Sequence, residues 1–155
     1  MNSEVGMSIA IGCDDAAVEL KEILKQHLSA KGIEFVDYGA APEDGILYPD
    51  VAKEVSVAVS KGRHERGIIL CGTGIGVSIV ANKVPGIRAA LCHDTFSAER
   101  ARKSNDAQII TMGARVIGSE LAKSILDTWL QSEFSDGPST PKVNRIKEIE
   151  KEFIA

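Results

Sequence analysis

The sequence predicts an α/β fold: a Rossmann-like three-layer sandwich built on one parallel sheet of about five strands, closed by a C-terminal helix. Three observations carry this. Short apolar runs rich in β-branched residues alternate with longer segments of helical period, the pattern of strand–helix–strand crossovers. One apolar run ends in a glycine-rich turn that opens a helix, as strand-to-helix turns in doubly wound sheets do. The chain of 155 residues, 44% apolar and 26% charged, is long enough for one well-buried core and too short for two ordinary domains.

The strands are expected at Ser8–Gly12, Glu34–Tyr38, Gly67–Cys71, Ile87–Leu91 and Ile109–Met112. Between the first two, Ala17, Leu20, Leu24 and Leu28 recur at helical spacing, and Gly32 ends the pattern. A second helix follows Pro49, a residue suited to a helix start, and carries Val51, Val55, Ala58 and Val59 on one face. Ile75–Val84 is apolar almost all round, so as a helix it must be covered by the sheet on one side and by another layer or subunit on the other. Leu121, Ile125 and Trp129 mark a later helix. After the polar loop Ser135–Pro141, Val143, Ile146, Ile149 and Phe153 place an apolar stripe on a terminal helix at 141–155, free to pack on its own domain or on a partner subunit. Residues 1–7 read as a flexible N-terminus, and 1–155 as a single domain with right-handed crossovers.

Composition excludes several functions. A formal net charge of −4 with no long basic run repels nucleic-acid backbone. No apolar stretch approaches the length of a membrane span, and MNSEVGM lacks the form of a secretory signal, so the expected location is the cytoplasm. Cys13, Cys71 and Cys92 are odd in number and show no CxxC spacing, which fits reduced thiols and neither a disulfide framework nor a metal site.

In open parallel sheets ligands bind beyond the carboxyl ends of the strands, so the residues just after each run are the site candidates. Foremost is Cys71-Gly72-Thr73-Gly74-Ile75-Gly76-Val77-Ser78, where glycines at alternate positions let backbone amides converge on one anion: a phosphate, a carboxylate or an enediolate oxygen. It matches neither GxGxxG nor GxxxxGK[ST], which disfavours a nucleotide cofactor. Cys71, beside a helix N-terminus, sits where thiols act as nucleophile or base, although a lone cysteine is more often a small buried hydrophobe. Gly12-Cys13-Asp14-Asp15 ends the first strand, with paired acids that read as a ligand pair or as an N-cap and its solvated neighbour. Cys92-His93-Asp94-Thr95 follows the fourth strand and Ser104-Asn105-Asp106 precedes the fifth. Arg88, Arg115, Lys142 and Arg145 are the cations available for a phosphate.

The segments CGTGIGVSIVANKVPGIRAALCHDTFSAERA and NDAQIITMGARVIGSELAKSI, with the early GCDD and the YPD after the second strand, resemble the ribose-5-phosphate isomerase B and galactose-6-phosphate isomerase family over nearly the whole chain. The resemblance implies a cofactor-independent aldose–ketose isomerase of a phosphorylated sugar, working as a homodimer or homotetramer with sites shared between subunits. It implies that Cys71 is the base that moves a proton between C2 and C1 through a cis-enediolate held by the amides of Gly72, Gly74, Ile75 and Gly76. Thr73 and Asn105 then bond the sugar oxygens, Asp14 a hydroxyl, and Tyr48 lines the pocket; Asp15 and His93 are further substrate-binding residues, His93 as a group that could open a sugar ring, with Ser78 behind the loop. Arg115 and Lys142 are left as phosphate ligands. Three departures stand out: Asp15 and Ser104 occupy positions where members acting on ribose 5-phosphate have His, and Gly137-Pro138-Ser139-Thr140-Pro141-Lys142 replaces a GRHxxR phosphate run. The His missing at Ser104 is credited with opening the furanose ring. The run HDTFSAERARKSNDAQIITMGARVIG is also similar to the D-erythrulose-4-phosphate isomerase branch, whose four-carbon substrate cannot close such a ring. Ribose 5-phosphate and erythrulose 4-phosphate are therefore both expected substrates, a non-catalytic sugar-phosphate-binding module is the alternative of another class, and a hydrolase with Cys71 as nucleophile is a third.

Overall fold

The computed structural model describes residues 7–42 and 45–154. The strands are β1 (Ser8–Asp14), β2 (Glu34–Ala41), β3 (Arg66–Cys71), β4 (Ala89–Leu91) and β5 (Ile109–Gly113), all parallel, in the order β2-β1-β3-β5-β4. The helices are α1 (Val18–Ala30), α2 (Tyr48–Ser60), α3 (Ile75–Asn82), α4 (Thr95–Lys103), α5 (Ser119–Gln131) and α6 (Thr140–Glu152), with a 3-10 turn at Asp15–Ala17 leading into α1. The expected fold class is the observed one. β1 runs two residues further than its sequence pattern, carrying Asp14 to the strand end. β4 starts two residues later than expected, because Ile87 N–H is used in a turn to Val84 and Arg88 N–H goes to the Gln108 side chain.

Alternation along the buried strands divides the core in two. Ile9, Ile11, Ile68, Leu70, Ile110 and Met112 face α1, α4 and α5, against Leu24, Leu28, Ile125 and Trp129. Ala10, Ile69, Cys71 and Ile109 face α2 and α3, against Val55, Val59, Val77 and Ala81. The side chain of Cys71 thus belongs to the α2/α3 side. Gly12 lets α2 lie close: a Cβ there would come within 2.7 Å of Val51 Cγ1.

Helix α4 is the element absent from the sequence reading. Its face toward the core is made of alanines, Ala98 and Ala101, so no stripe of large apolar residues announces it. The cap was legible: Asp94 accepts from Ser97 N–H at 2.6 Å and from its hydroxyl at 2.7 Å. On α3, Val77 and Ala81 are buried, while Ile75 and Ile79 are each 54% exposed, so no layer among the described residues covers that face. The terminal helix α6 buries Val143 and receives Gly86 N–H on the Glu150 carboxylate at 3.1 Å, leaving Ile146, Ile149 and Phe153 exposed. Of the N-terminal segment expected to be flexible, residues 1–6 lie outside the described residues, and Met7 packs against the core. Among the described residues no helix is long and apolar enough to cross a membrane.

At the amino end of the sheet Arg66 is buried under the carboxyl end of α5. Its guanidinium donates to the carbonyls of Trp129 and Ser132 and to Glu133, and lies 5.0 Å from the Trp129 ring centre. Burial, with Arg102 nearby, lowers its pKa to about 10. The two carbonyls do most of the holding, because the Glu133 side chain is 68% exposed and its attraction is screened. Arg66→Ala should therefore cost about 3–5 kcal/mol by leaving buried acceptors unpaired, and Glu133→Ala no more than about 1 kcal/mol, both read from urea unfolding. Similar losses for the two variants would mean that the ion pair is the real anchor.

Candidate active site

The strand order changes direction at β1, whose neighbours β2 and β3 are reached on opposite sides, and the crevice above the carboxyl ends of β1 and β3 is where such folds bind ligands. The register sets Cys13 beside Leu70 and Cys71 beside Gly113, so Asp14 and Cys71 are neighbours at the lip of the sheet and the end of β5 stands on the other side.

The loop after Cys71 closes tightly on itself. Gly74 N–H donates to Cys71 Sγ at 3.0 Å and Ile75 N–H to Thr73 Oγ1 at 3.2 Å. Two amides of the expected anion cradle, those of Gly74 and Ile75, thus have internal partners here, and a ligand must exchange with them. Gly74 is left-handed, φ +77°, and stands at the N-cap of α3. Cys71 is 6% exposed, and its sulfur is held by the Gly74 amide. Burial pushes the Cys13 thiol up to about 11 and the Cys92 thiol up to about 12, which keeps both protonated.

Around this loop the structure gathers several expected residues. Asp14 is half-buried and also caps the 3-10 turn through Ala16 N–H at 3.0 Å; Asp15 beside it is exposed. Arg115 donates its backbone N–H to Gly72 O at 3.0 Å and lays its guanidinium over the same glycine, where a Cβ would stand 3.4 Å from Nη1. It forms no ion pair among the described residues. Tyr48 opens α2 with its ring against Gly76, where any Cβ would overlap the hydroxyl. His93 reaches the end of β5, accepting Gly113 N–H on Nε2 at 2.9 Å. Ser78 lies one turn into α3 and makes no side-chain bond to the loop among the described residues. Asn82 clamps α3 to Ala89 of β4 through bonds of 3.0 and 2.8 Å, well away from the loop.

Asn105 and Lys142 are not brought to this place. Asn105 precedes β5, whose Gly113 is level with Cys71, so the length of the strand, about 13 Å, separates them. There Asn105 bonds Arg100 O at 3.0 Å, and Ser104 Oγ receives Arg100 Nη1 at 3.2 Å. Lys142 is exposed on α6, which is held at that same amino end through Glu150 and Gly86. Within one chain the expected site is therefore split between the two ends of the sheet.

Two residues of the site had gone unnoticed. Thr111 is fully buried inside an apolar strand and donates to Gly74 O at 2.9 Å, anchoring the loop. A hydroxyl in such a run needs a partner, and that was the available signal. Gly113 has no room for a side chain, since a Cβ would sit 2.6 Å from the Thr73 carbonyl carbon. Among the described residues no cluster of three His, Cys, Asp or Glu side chains is placed to hold a metal ion.

Burial raises the pKa of Asp14, the amide of Ala16 opposes this, and the charge of Asp15 adds to it. A carboxyl whose folded pKa exceeds its unfolded value holds its proton better when folded. Its ionised form therefore costs stability at neutral pH, and the cost fades as pH falls through the folded pKa. Asp14→Asn keeps the cap acceptor without the charge, so at pH 7 it should unfold at an equal or higher midpoint than the parent, with the difference shrinking toward acid pH. A variant less stable at pH 7 than at acid pH, relative to the parent, would contradict the cited cause.

Comparison with known proteins agrees with this architecture. A family model described as Ribose/Galactose Isomerase matches residues 9–146. The chain is 57% identical to a D-erythrulose-4-phosphate isomerase of Pectobacterium atrosepticum over 90% of its length and 93% of that protein's. It is 56% identical to a ribose-5-P isomerase B of Listeria innocua over 93% of its length and 97% of the other's. The structure of Clostridium thermocellum ribose-5-phosphate isomerase B superposes with a TM-score of 0.91 at 44% identity, covering 96% of this chain and all of that one. With matches of this extent in both sequence and structure, the chain belongs to the ribose/galactose isomerase family and is an isomerase.

Proposed function

We propose that the protein interconverts a phosphorylated aldose and its ketose at the Cys71 loop, with no cofactor. One observation carries this reading: a sulfur at the end of β3 accepts the Gly74 amide, with Asp14 at the end of the neighbouring strand and, over the next residue Gly72, an Arg115 guanidinium that has no ion-pair partner among the described residues. Cys71 as thiolate takes the proton from C2 of the open-chain aldose, the electron pair moves into a C1–C2 double bond, and the carbonyl oxygen becomes an enediolate oxygen. The same thiol returns the proton to C1, so no atom is gained or lost. Arg115 offsets the negative charge as it develops, and the proton of the C2 hydroxyl passes to the C1 oxygen, with Thr73 and Asp14 hydrogen-bonded to the two oxygens between which it moves.

The site is completed by a second copy of the chain. Asn105 and Lys142 lie at the far end of the sheet from Cys71, and the exposed Ile75 and Ile79 lie on the first helix after the loop, where a neighbouring subunit would cover them. In such a homodimer or homotetramer the amino end of one subunit faces the Cys71 loop of another.

Two substrates fit the reading, ribose 5-phosphate and D-erythrulose 4-phosphate. Ser104 favours the second, because its hydroxyl is engaged by Arg100 and no imidazole stands there to open a furanose; a tetrulose 4-phosphate has no free hydroxyl with which to form one. Coupled turnover on both sugars tests the point. Faster conversion of the tetrulose supports the ring-free substrate, and equal or faster conversion of ribose 5-phosphate overturns it. Cys71→Ala should lower kcat about 10²–10⁴-fold and stop exchange of the C2 proton with solvent while the fold persists. Thermal stabilisation by phosphosugars with no turnover of any would instead identify a binding module.

A further inference from the structure

The edge strand β4 is only three residues long and pairs with β5 as far as Leu91 opposite Thr111; one more bond, Cys92 N–H to Thr111 O at 3.0 Å, extends the ladder. Gly113, two residues on, is buried, and no backbone carbonyl of β4 reaches its N–H. The His93 side chain takes that place, accepting the amide at 2.9 Å. A backbone N–H can only donate, so Nε2 is the acceptor, the imidazole is neutral, and its proton sits on Nδ1.

What this contact holds is the turn after β5. Ala114 N–H donates to Cys71 O at 2.9 Å and Arg115 N–H to Gly72 O at 3.0 Å, while Gly113 O receives Val116 N–H at 3.0 Å. The carbonyls flanking the catalytic thiol are therefore capped by the two amides that follow Gly113, and the second of these residues carries the guanidinium lying over Gly72. Gly113 is also where the β5 backbone meets Thr73, so a small shift there is passed directly to the loop.

We infer that His93 is a positioning residue of this site: its unprotonated Nε2 holds the Gly113 amide and thereby fixes the Gly113–Arg115 turn against Cys71 and Gly72. The inference rests on reading the Cys71 loop as the place of reaction. It assigns His93 to the protein side of the site, in place of the substrate-binding role expected from the sequence.

The test compares the full-length protein with His93→Leu, which has no acceptor, and His93→Gln, whose amide oxygen reaches about as far as Nε2. Turnover of erythrulose 4-phosphate and ribose 5-phosphate is measured together with hydrogen exchange at the Gly113 and Ala114 amides. His93→Leu should lose roughly ten- to a hundredfold in kcat with little change in KM, and lose protection at Gly113; His93→Gln should restore most of both. Equal losses in the two variants with Gly113 still protected would overturn the inference. So would a defect confined to ribose 5-phosphate, since that would mean that the imidazole acts on the sugar ring. If the parent protein turns over neither sugar, the reaction assignment fails, and protection at Gly113 in the two variants still decides the contact.

Discussion

The loop after β3 can turn across the end of β5 only because no side chain stands between the two backbones. A Cβ at Gly113 would meet the Thr73 carbonyl carbon at 2.6 Å, and one at Gly74 would meet the Met112 carbonyl carbon at 2.9 Å. This close approach brings the Gly74 amide onto the Cys71 sulfur, the Thr111 hydroxyl onto the Gly74 carbonyl, and the amides of Ala114 and Arg115 onto the carbonyls of Cys71 and Gly72. Sheet and site are consequently one hydrogen-bonded unit, and the rigidity of the parallel core is available to the reacting groups.

The sheet follows from residues whose side chains alternate between two apolar layers, and that alternation was legible wherever the residues are large. Ile68 to Leu70 and Ile109 to Met112 read as strands because both faces of them are buried. Helix α4 was not legible, because alanines serve where the helix passes close to its neighbours and small residues leave no hydrophobic stripe. The position of Cys71 and of the glycines after it could be read from strand-end logic alone. Thr111 and the bond from Gly113 to His93 could not, since they depend on which strands are adjacent, and the order β3-β5-β4 is not written in the local pattern.

Sequence proximity was misleading in one respect. His93 and Asn105 bracket the same helix and read as two parts of one site, yet α4 carries the chain from the carboxyl end of the sheet to the amino end. A motif that straddles a crossover helix places its halves a strand length apart. The same geometry separates Lys142 from Arg115, which the sequence had paired as phosphate ligands.

Cys13 and Cys92 lie within the α1/α4/α5 layer, each 1% exposed, and burial keeps both protonated. They are silent toward alkylating reagents for as long as that layer stays closed, because reaction needs both access and a thiolate. The chain thus carries two internal reporters of its own opening. The rate at which they become labelled measures how often the helical layer lifts from the sheet, independently of any substrate or assay.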